Sequence, residues 1–329
     1  MKASPEDSLR RVLGAGGPGL ARGLEATEER LAEIADGHGE ELARHASGTL
    51  DAGGKRLRPL LVLVCGGRDQ AGRRLVAAAA AVELLHMATL VHDDVLDRAD
   101  LRRGMPTVLA SAGRDAATAT GDFLFSRAFS ELAATGDADA VRSLSTASSA
   151  LARGELLQRV DAWSADVAVE RYLERCALKT GSLFAASARL GAQLGGRPDA
   201  VEPLGRFGDR IGVAFQILDD VLDVSGPAER IGKRRGTDLL DGTVTLPLIV
   251  ARERDPRLAG LDLRTAVTDA DEAEAVCDRI AATGALEDAR ARALERVAES
   301  KAELDAIALE AWQRRALNLV ADGVVERYA

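Results

Sequence analysis

The sequence predicts an all-α fold, a single-domain helical bundle, and three observations carry that prediction. Of 329 residues 47% are hydrophobic, but this content is mostly Ala, Leu and Val, and aromatics are only 3%. No stretch sustains the period-two alternation of β-branched and aromatic residues that half-buried strands need. Gly and Pro gather in short breaks, "CGGRDQAGR", "GGRPDAVEP", "SGPAERIGKRRGTD" and "RERDPRLAG", between long runs of helix formers. None resembles a long flexible linker, so 1–329 reads as one domain. Residues 1–19, rich in Gly, are expected to be a poorly ordered or loosely attached N-terminal segment.

Helices are expected at about 20–50, 59–66, 74–98, 115–135, 138–162, 167–194, 199–224, 239–252, 271–283 and 285–327. The second starts at Pro59, after the basic turn "GGKRLRP". The third contains the longest apolar stretch, 75–92, interrupted by Glu83 and His86, so no membrane span is expected. The start, "MKASPEDSLRRVLGAGGPGL", has no apolar core of signal-peptide length, and no export is expected. Cys65, Cys176 and Cys277 are odd in number and lack a CxxC pair, which points to free thiols and a cytoplasmic setting. A net charge of −9 argues against a general nucleic-acid binder.

The pentapeptide DDVLD occurs twice, in "LVHDDVLDRADLRRG" and "FQILDDVLDVSG", with starts separated by 219 − 93 = 126 residues. With 29 Asp in the chain, DDxxD is expected by chance only about 0.2 times, so two copies demand an explanation. On a helix, Asp93 and Asp97 share a face with Asp94 about 100° round, and Asp219, Asp223 and Asp220 repeat the arrangement. Carboxylates crowded beside apolar surroundings are protonated or destabilising unless cations bridge them. Oxygen ligands without His or Cys at metal spacing suit Mg²⁺, which substrate phosphates commonly complete. Two such clusters point to a polyphosphate clamped through several Mg²⁺ ions.

Basic residues sit near these acids. Gly53 and Gly54 let backbone approach a ligand beside Lys55, Arg56 and Arg58. Arg102 and Arg103 follow the first cluster and offer permanently charged, bidentate contact to phosphate. Lys179 and Thr180 in "LKTGS", Gln216, and Lys233 after the second cluster extend the set. The stretch "GAGGPG" fits GxGxxG literally, but it follows polar residues, not a strand, and contains a Pro, which argues against a dinucleotide site.

In this order the elements resemble the trans-polyprenyl diphosphate synthase family, from about Gly53 to Pro247. "ELLHMATLVHDDVLDRADLRRGMPTV" and "GTDLLDGTVTLP" are most similar to bacterial medium- and long-chain members such as the heptaprenyl diphosphate synthase catalytic subunit. The resemblance implies a typically dimeric all-α bundle whose aspartate motifs face across a central cavity. It implies that Asp93, Asp97 and Asp219 lead in binding Mg²⁺ and the allylic diphosphate, with Asp94, Asp220 and Asp223 supporting. Lys55, Arg58, His86 and Arg103 match positions that hold isopentenyl diphosphate; Arg102, Lys179, Thr180, Gln216 and Lys233 match those contacting the allylic substrate. Thr243 stands where many relatives have a further Lys, which implies altered allylic affinity.

Two rival readings remain: a class I terpene cyclase and a partner-dependent or regulatory subunit. The cyclase's second metal motif usually includes Asn, and the only Asn here is Asn318. Cyclases also tend to line cation pockets with aromatics, which are few here. A regulatory subunit would be expected to have eroded aspartates, whereas both clusters are intact. For product length, Ala88 and Thr89 lie about one turn before Asp93. Small residues there are expected to leave a passage for chains beyond four isoprene units, with a deeper floor at Phe123, Phe125 or Phe129.

Overall fold

A computed structural model describes residues 5–51, 56–102, 104–226 and 235–326, and nearly all of it is helical. Helix α1 (Pro5–Asp36) is kinked at Gly17, whose φ of 69° breaks the run just before Pro18. The segment 5–19 departs from the loose attachment expected of it. Val12 is buried in the core, and Ser8 and Arg11 bind Glu326 near the other end of the chain at 2.9 and 2.7 Å. The expected helix over 20–50 is divided, because the chain turns at Gly39 with φ 93° before α2 (Glu40–Asp51).

Helix α3 (Leu57–Gly66) is buried from Pro59 to Gly66, as its unbroken apolar sequence requires. Helix α4 (Arg73–Asp97) is long and apolar enough to cross a membrane, yet 72% of its most apolar window is buried inside the bundle. Its Glu83 is explained by Arg56, which precedes α3 in a left-handed conformation and binds Glu83 at 2.8 Å and Glu28 of α1 at 2.6 Å. A basic residue that looked like part of a ligand loop thus joins three helices instead.

After α4 comes a hairpin too short to show alternation in sequence: β1 (Leu101–Arg102) pairs antiparallel with β2 (Met105–Pro106). The run α5 (Val108–Ala133) opens at Thr107, whose hydroxyl accepts from the Ala110 N–H at 3.0 Å, and kinks at Gly113, φ 85°, so that its main part begins about where the helix over 115–135 is expected. Helix α6 (Ala138–Asp161) is capped by Asp137 in the same way. Helix α7 (Val169–Cys176) runs through a π-helical turn, Ala177–Gly181, into α8 (Ser182–Leu194). Helix α9 (Val201–Ser225) follows.

The C-terminal part holds α10 (Thr237–Leu240), α11 (Leu246–Arg254), α12 (Pro256–Ala259), α13 (Leu263–Ala266), α14 (Ala270–Ala282), α15 (Ala285–Glu303) and α16 (Ala311–Glu326). The helix expected over 239–252 is interrupted at Gly242, where a positive φ turns the chain. That expected over 285–327 is interrupted near Ile307, which is buried in the core and whose carbonyl accepts from Arg314 at 3.0 Å. Helix α4 packs along α5, α9 lies between α8 and α15, and α3 packs against both α4 and α8. The two copies of DDVLD therefore lie at the C-terminal ends of two core helices, α4 and α9.

Candidate active site

A helix C-terminus concentrates carbonyl oxygens with partial negative charge, so three added carboxylates there call for cations. At the end of α4 the protein supplies several. Arg102 folds back from β1 and places Nε and Nη2 each 2.8 Å from Asp94 Oδ1. Arg159 of α6 donates from Nη2 to Asp97 Oδ1 at 2.5 Å and from Nε to Glu155 at 3.0 Å. Glu155 also meets Lys179 Nζ at 2.5 Å. Burial pushes the Asp93 carboxyl up to about 6; Lys179 opposes this, and Glu155 and Asp97 reinforce it. Lys179 would be lowered by its own burial, but Asp93 and Glu155 outweigh that and keep it charged.

Lys179 and Thr180 lie in the π turn, a local irregularity that inserts one residue into the helical ladder. Its neighbours explain how it fits. A Cβ on Gly154 of α6 would come within 2.5 Å of the Lys179 nitrogen, and one on Gly212 of α9 within 2.7 Å of the Gly181 Cα. Backbone-to-backbone approach on both sides is open only to glycine. The Thr180 hydroxyl donates to Gln216 Oε1 at 2.7 Å. One turn of chain therefore carries a cation beside the first motif and a hydrogen bond to the helix of the second.

Around the second motif the partners have a different character. The fully buried Tyr172 donates its phenol to Asp220 Oδ2 at 2.7 Å, and Gln216 donates to Asp220 Oδ1 at 2.8 Å. Burial pushes Asp220 up to about 7, while Tyr172 and Gln216 pull it back. Both of its oxygens are thus engaged by the protein's own donors. Asp223 is buried and accepts from the Asp238 N–H at 3.2 Å, which ties α10 to the end of α9. Asp219 remains partly accessible.

The other expected residues divide. Lys55, Arg103 and Lys233 lie outside the described residues. Arg58 sits with its guanidinium 4.6 Å above the Phe184 ring. His86, Thr89, Leu90 and Asp93 are partly accessible and Asp97 exposed, and at 100° per residue they form one stripe along α4. Ala88 does not join it. It is fully buried and about 140° round from Asp93, so the passage expected beside it is not open at that residue. Phe125 corrects the floor expectation too: it is 37% exposed and its ring packs at a tilt on Phe129, ring centroids 5.2 Å apart. Phe123 packs against His38 at 4.9 Å.

Sequence reading missed Glu155, Arg159, Tyr172 and Gln158, whose amide oxygen accepts from Lys179 Nζ at 3.2 Å. Gly154-Glu155 followed by Gln158-Arg159 carried a signal, charges at helical spacing, but it was indistinguishable from a solvated helix face. Among the described residues no group of three acidic, His or Cys side chains converges tightly enough to hold a metal ion unaided. The donor set still fits a hard dication completed by a substrate: the acids offer only oxygen, and burial, which raises the Asp93 carboxyl, is a cost that a bound cation would offset.

Fold and site define a class, an all-α enzyme of the isoprenoid synthase type. Residues 39–283 match the family described as polyprenyl synthetase, and the chain belongs to that family. It is 41% identical over 270 residues to "Heptaprenyl diphosphate synthase component 2" of Geobacillus stearothermophilus, covering 82% of this chain and 84% of that protein. It is 37% identical over 296 residues to geranylgeranyl diphosphate synthase of Methanosarcina mazei, covering 88% and 90%. Among solved structures, a polyprenyl synthase from Caulobacter crescentus, complexed with calcium and isoprenyl diphosphate, superposes with a TM-score of 0.89 at 33% identity, covering 100% of this chain and 99% of that one. The protein is a prenyltransferase that makes a polyprenyl diphosphate.

Proposed function

We propose that the chain condenses an allylic diphosphate with isopentenyl diphosphate to a linear all-trans product longer than four isoprene units, with Mg²⁺. The observation that carries this reading is the π turn: it sets Lys179 beside Asp93 and joins Thr180 to Gln216 on α9. Groups suited to a diphosphate thereby lie between the two aspartate-rich helix ends. Asp93, Asp97 and Asp219 would hold Mg²⁺, with Asp94 and Asp223 behind them and Asp220 holding α9 in place. Bound Mg²⁺ would supply charge neutralisation to the departing pyrophosphate.

The chain's own groups do the remaining work. Lys179, Thr180 and Arg102, already oriented by the fold, bind the allylic diphosphate together with Lys233 and stabilise charge as its carbon–oxygen bond breaks. Lys55, Arg58, His86 and Arg103 hold isopentenyl diphosphate so that its double bond attacks the allylic carbon. The apolar walls of the bundle exclude water, which would otherwise capture the cation. Pyrophosphate takes the proton afterwards, so no dedicated side-chain base is required. Thr89, small and on the open stripe, supports elongation past short-chain products.

We also read the chain as a cytoplasmic homodimer, with Leu156 and Val160, exposed at i and i+4 on α6, as part of the contact face. The word "component" in the Geobacillus relative's name supports a second reading, a catalytic subunit that needs a partner. One experiment addresses both. The purified chain is supplied with Mg²⁺, labelled isopentenyl diphosphate and several allylic primers, and its products are measured by mass spectrometry. Linear diphosphates beyond four units are expected. Cyclic hydrocarbon, or no incorporation until a second protein is added, would overturn the reading.

A further inference from the structure

The three carboxylates of the first motif differ in how firmly their cations are held. Asp94 is buried, and Arg102 meets its Oδ1 with two nitrogens, an arrangement a solvated ion cannot easily replace. Asp97 is different. Its side chain is 37% exposed and that of its partner Arg159 is 41% exposed, with Nη2 and Oδ1 2.5 Å apart. Exposed ion pairs are weak and exchange readily. Arg159 is also tethered independently, since its Nε donates to Glu155 at 3.0 Å, and Glu155 is anchored in turn by Lys179 at 2.5 Å. If Arg159 leaves Asp97, it keeps a partner.

We propose that Arg159 is a built-in placeholder cation: it occupies Asp97 in the substrate-free protein and must be displaced when a divalent ion binds there. This rests on reading Asp97 as a metal ligand. The ladder Asp97, Arg159, Glu155, Lys179 alternates in sign from α4 through α6 to the π turn. A dication arriving at Asp97 takes over the role of Arg159, whose guanidinium retains Glu155. Arg159 therefore sets how much metal the enzyme demands, and it is a positioning residue, not a catalytic one.

The test is Mn²⁺ binding followed by electron paramagnetic resonance, with and without inorganic pyrophosphate. It compares wild type with Arg159→Leu, Arg98→Gln and Asp97→Asn, each checked for folding by circular dichroism. Arg98 controls for general charge, because it is an exposed cation adjoining the motif. Removing a competing exposed ion pair should tighten Mn²⁺ binding roughly two- to fivefold in Arg159→Leu. The Mg²⁺ concentration giving half-maximal turnover should fall in parallel, and Arg98→Gln should change binding by less than half as much. Unchanged or weaker binding in Arg159→Leu overturns the placeholder, and so does an equal gain in Arg98→Gln, which would mean a general field effect. Should Arg159→Leu fail to fold, Arg159→Lys, which keeps charge but cannot fork between Glu155 and Asp97, should give a smaller gain; no gain overturns the proposal. Asp97→Asn binding as tightly as wild type would instead remove Asp97 from the metal site, a failure of the underlying reading that is seen independently of Arg159.

Discussion

The two copies of DDVLD are identical in sequence and in helical register, yet the protein surrounds them differently. On α4, Asp94 and Asp97 meet guanidinium groups and Asp93 lies in the field of Lys179. On α9, Asp220 accepts from a phenol and an amide, and Asp223 from a backbone N–H. The last aspartate is exposed in the first copy and buried in the second. Helical spacing sets which carboxylates share a face, but neighbouring elements decide whether each can exchange its partner. The first copy is poised for exchange at its outer end. The second is partly committed to holding α9 against α7 and α10.

The largest expected effect treats the copies as equals. Asp93→Ala and Asp219→Ala should each lower turnover by at least about 100-fold, the scale of losing a group that stabilises developing charge. Circular dichroism should show both variants folded. Near-normal turnover in one of them would mean that only the other copy serves the chemistry.

A second prediction sharpens the contrast. Asp93 and Asp220 both have carboxyls raised in the folded protein, to about 6 and about 7, chiefly by burial. A raised acid makes the folded state bind protons more tightly than the unfolded chain, so its stabilising effect is complete below about pH 4, the unfolded value, and is lost as pH rises through the folded value. Metal-free stability to urea should therefore decline between about pH 4 and 7. Asp220→Asn should flatten the decline, more so than Asp97→Asn. A slope that Asp220→Asn leaves intact would show that its burial is not what the fold feels. At fixed pH, Tyr172→Phe leaves a buried oxygen without its donor and should cost about 1–3 kcal/mol in urea unfolding.

The smallest effects concern the residues one turn before each copy. Four places before the first aspartate stands Thr89 on α4 and Phe215 on α9, where Phe215 packs on Phe184 at 5.8 Å; five places before, both helices have a fully buried alanine, Ala88 and Ala214. Thr89→Phe gives α4 the aromatic that α9 already has and should shorten the product while condensation continues. Ala88→Phe forces a ring into packed core and should instead destabilise by about 1–3 kcal/mol. Mass spectrometry of products and urea titrations of both variants separate the outcomes. A shorter product from Ala88→Phe in a stable protein would reverse the assignment of the open face.

Much was legible in the chain. Apolar runs punctuated by Gly and Pro announced the helices, because burial and backbone sterics act locally. The doubled acids on apolar helices announced a site that needs compensating partners, because crowded carboxylates without them are protonated or destabilising. Arg56 and Tyr172 were not legible. Nothing in "GGKRLRP" separates the arginine that joins α1 and α4 from the residues expected to meet a ligand, and nothing in the sequence around Tyr172 marks its bond to Asp220, 48 residues away. The π turn has no sequence signature either, since it arises where Gly154 and Gly212 admit its backbone from two sides.

By itself the sequence determined the helical class, the positions of both aspartate copies and the face shared by the first and last aspartate of each. These depend on a repeat of 3.6 residues and on the chemistry of single side chains. Only the tertiary structure decided that Arg159 reaches Asp97, that Asp220 turns to Tyr172, and that Thr89 is partly accessible while Ala88 is buried. Electrostatic partnership and accessibility fall off over a few ångströms, and which groups come that close is set by how α4, α6, α7 and α9 pack, not by any one of them alone.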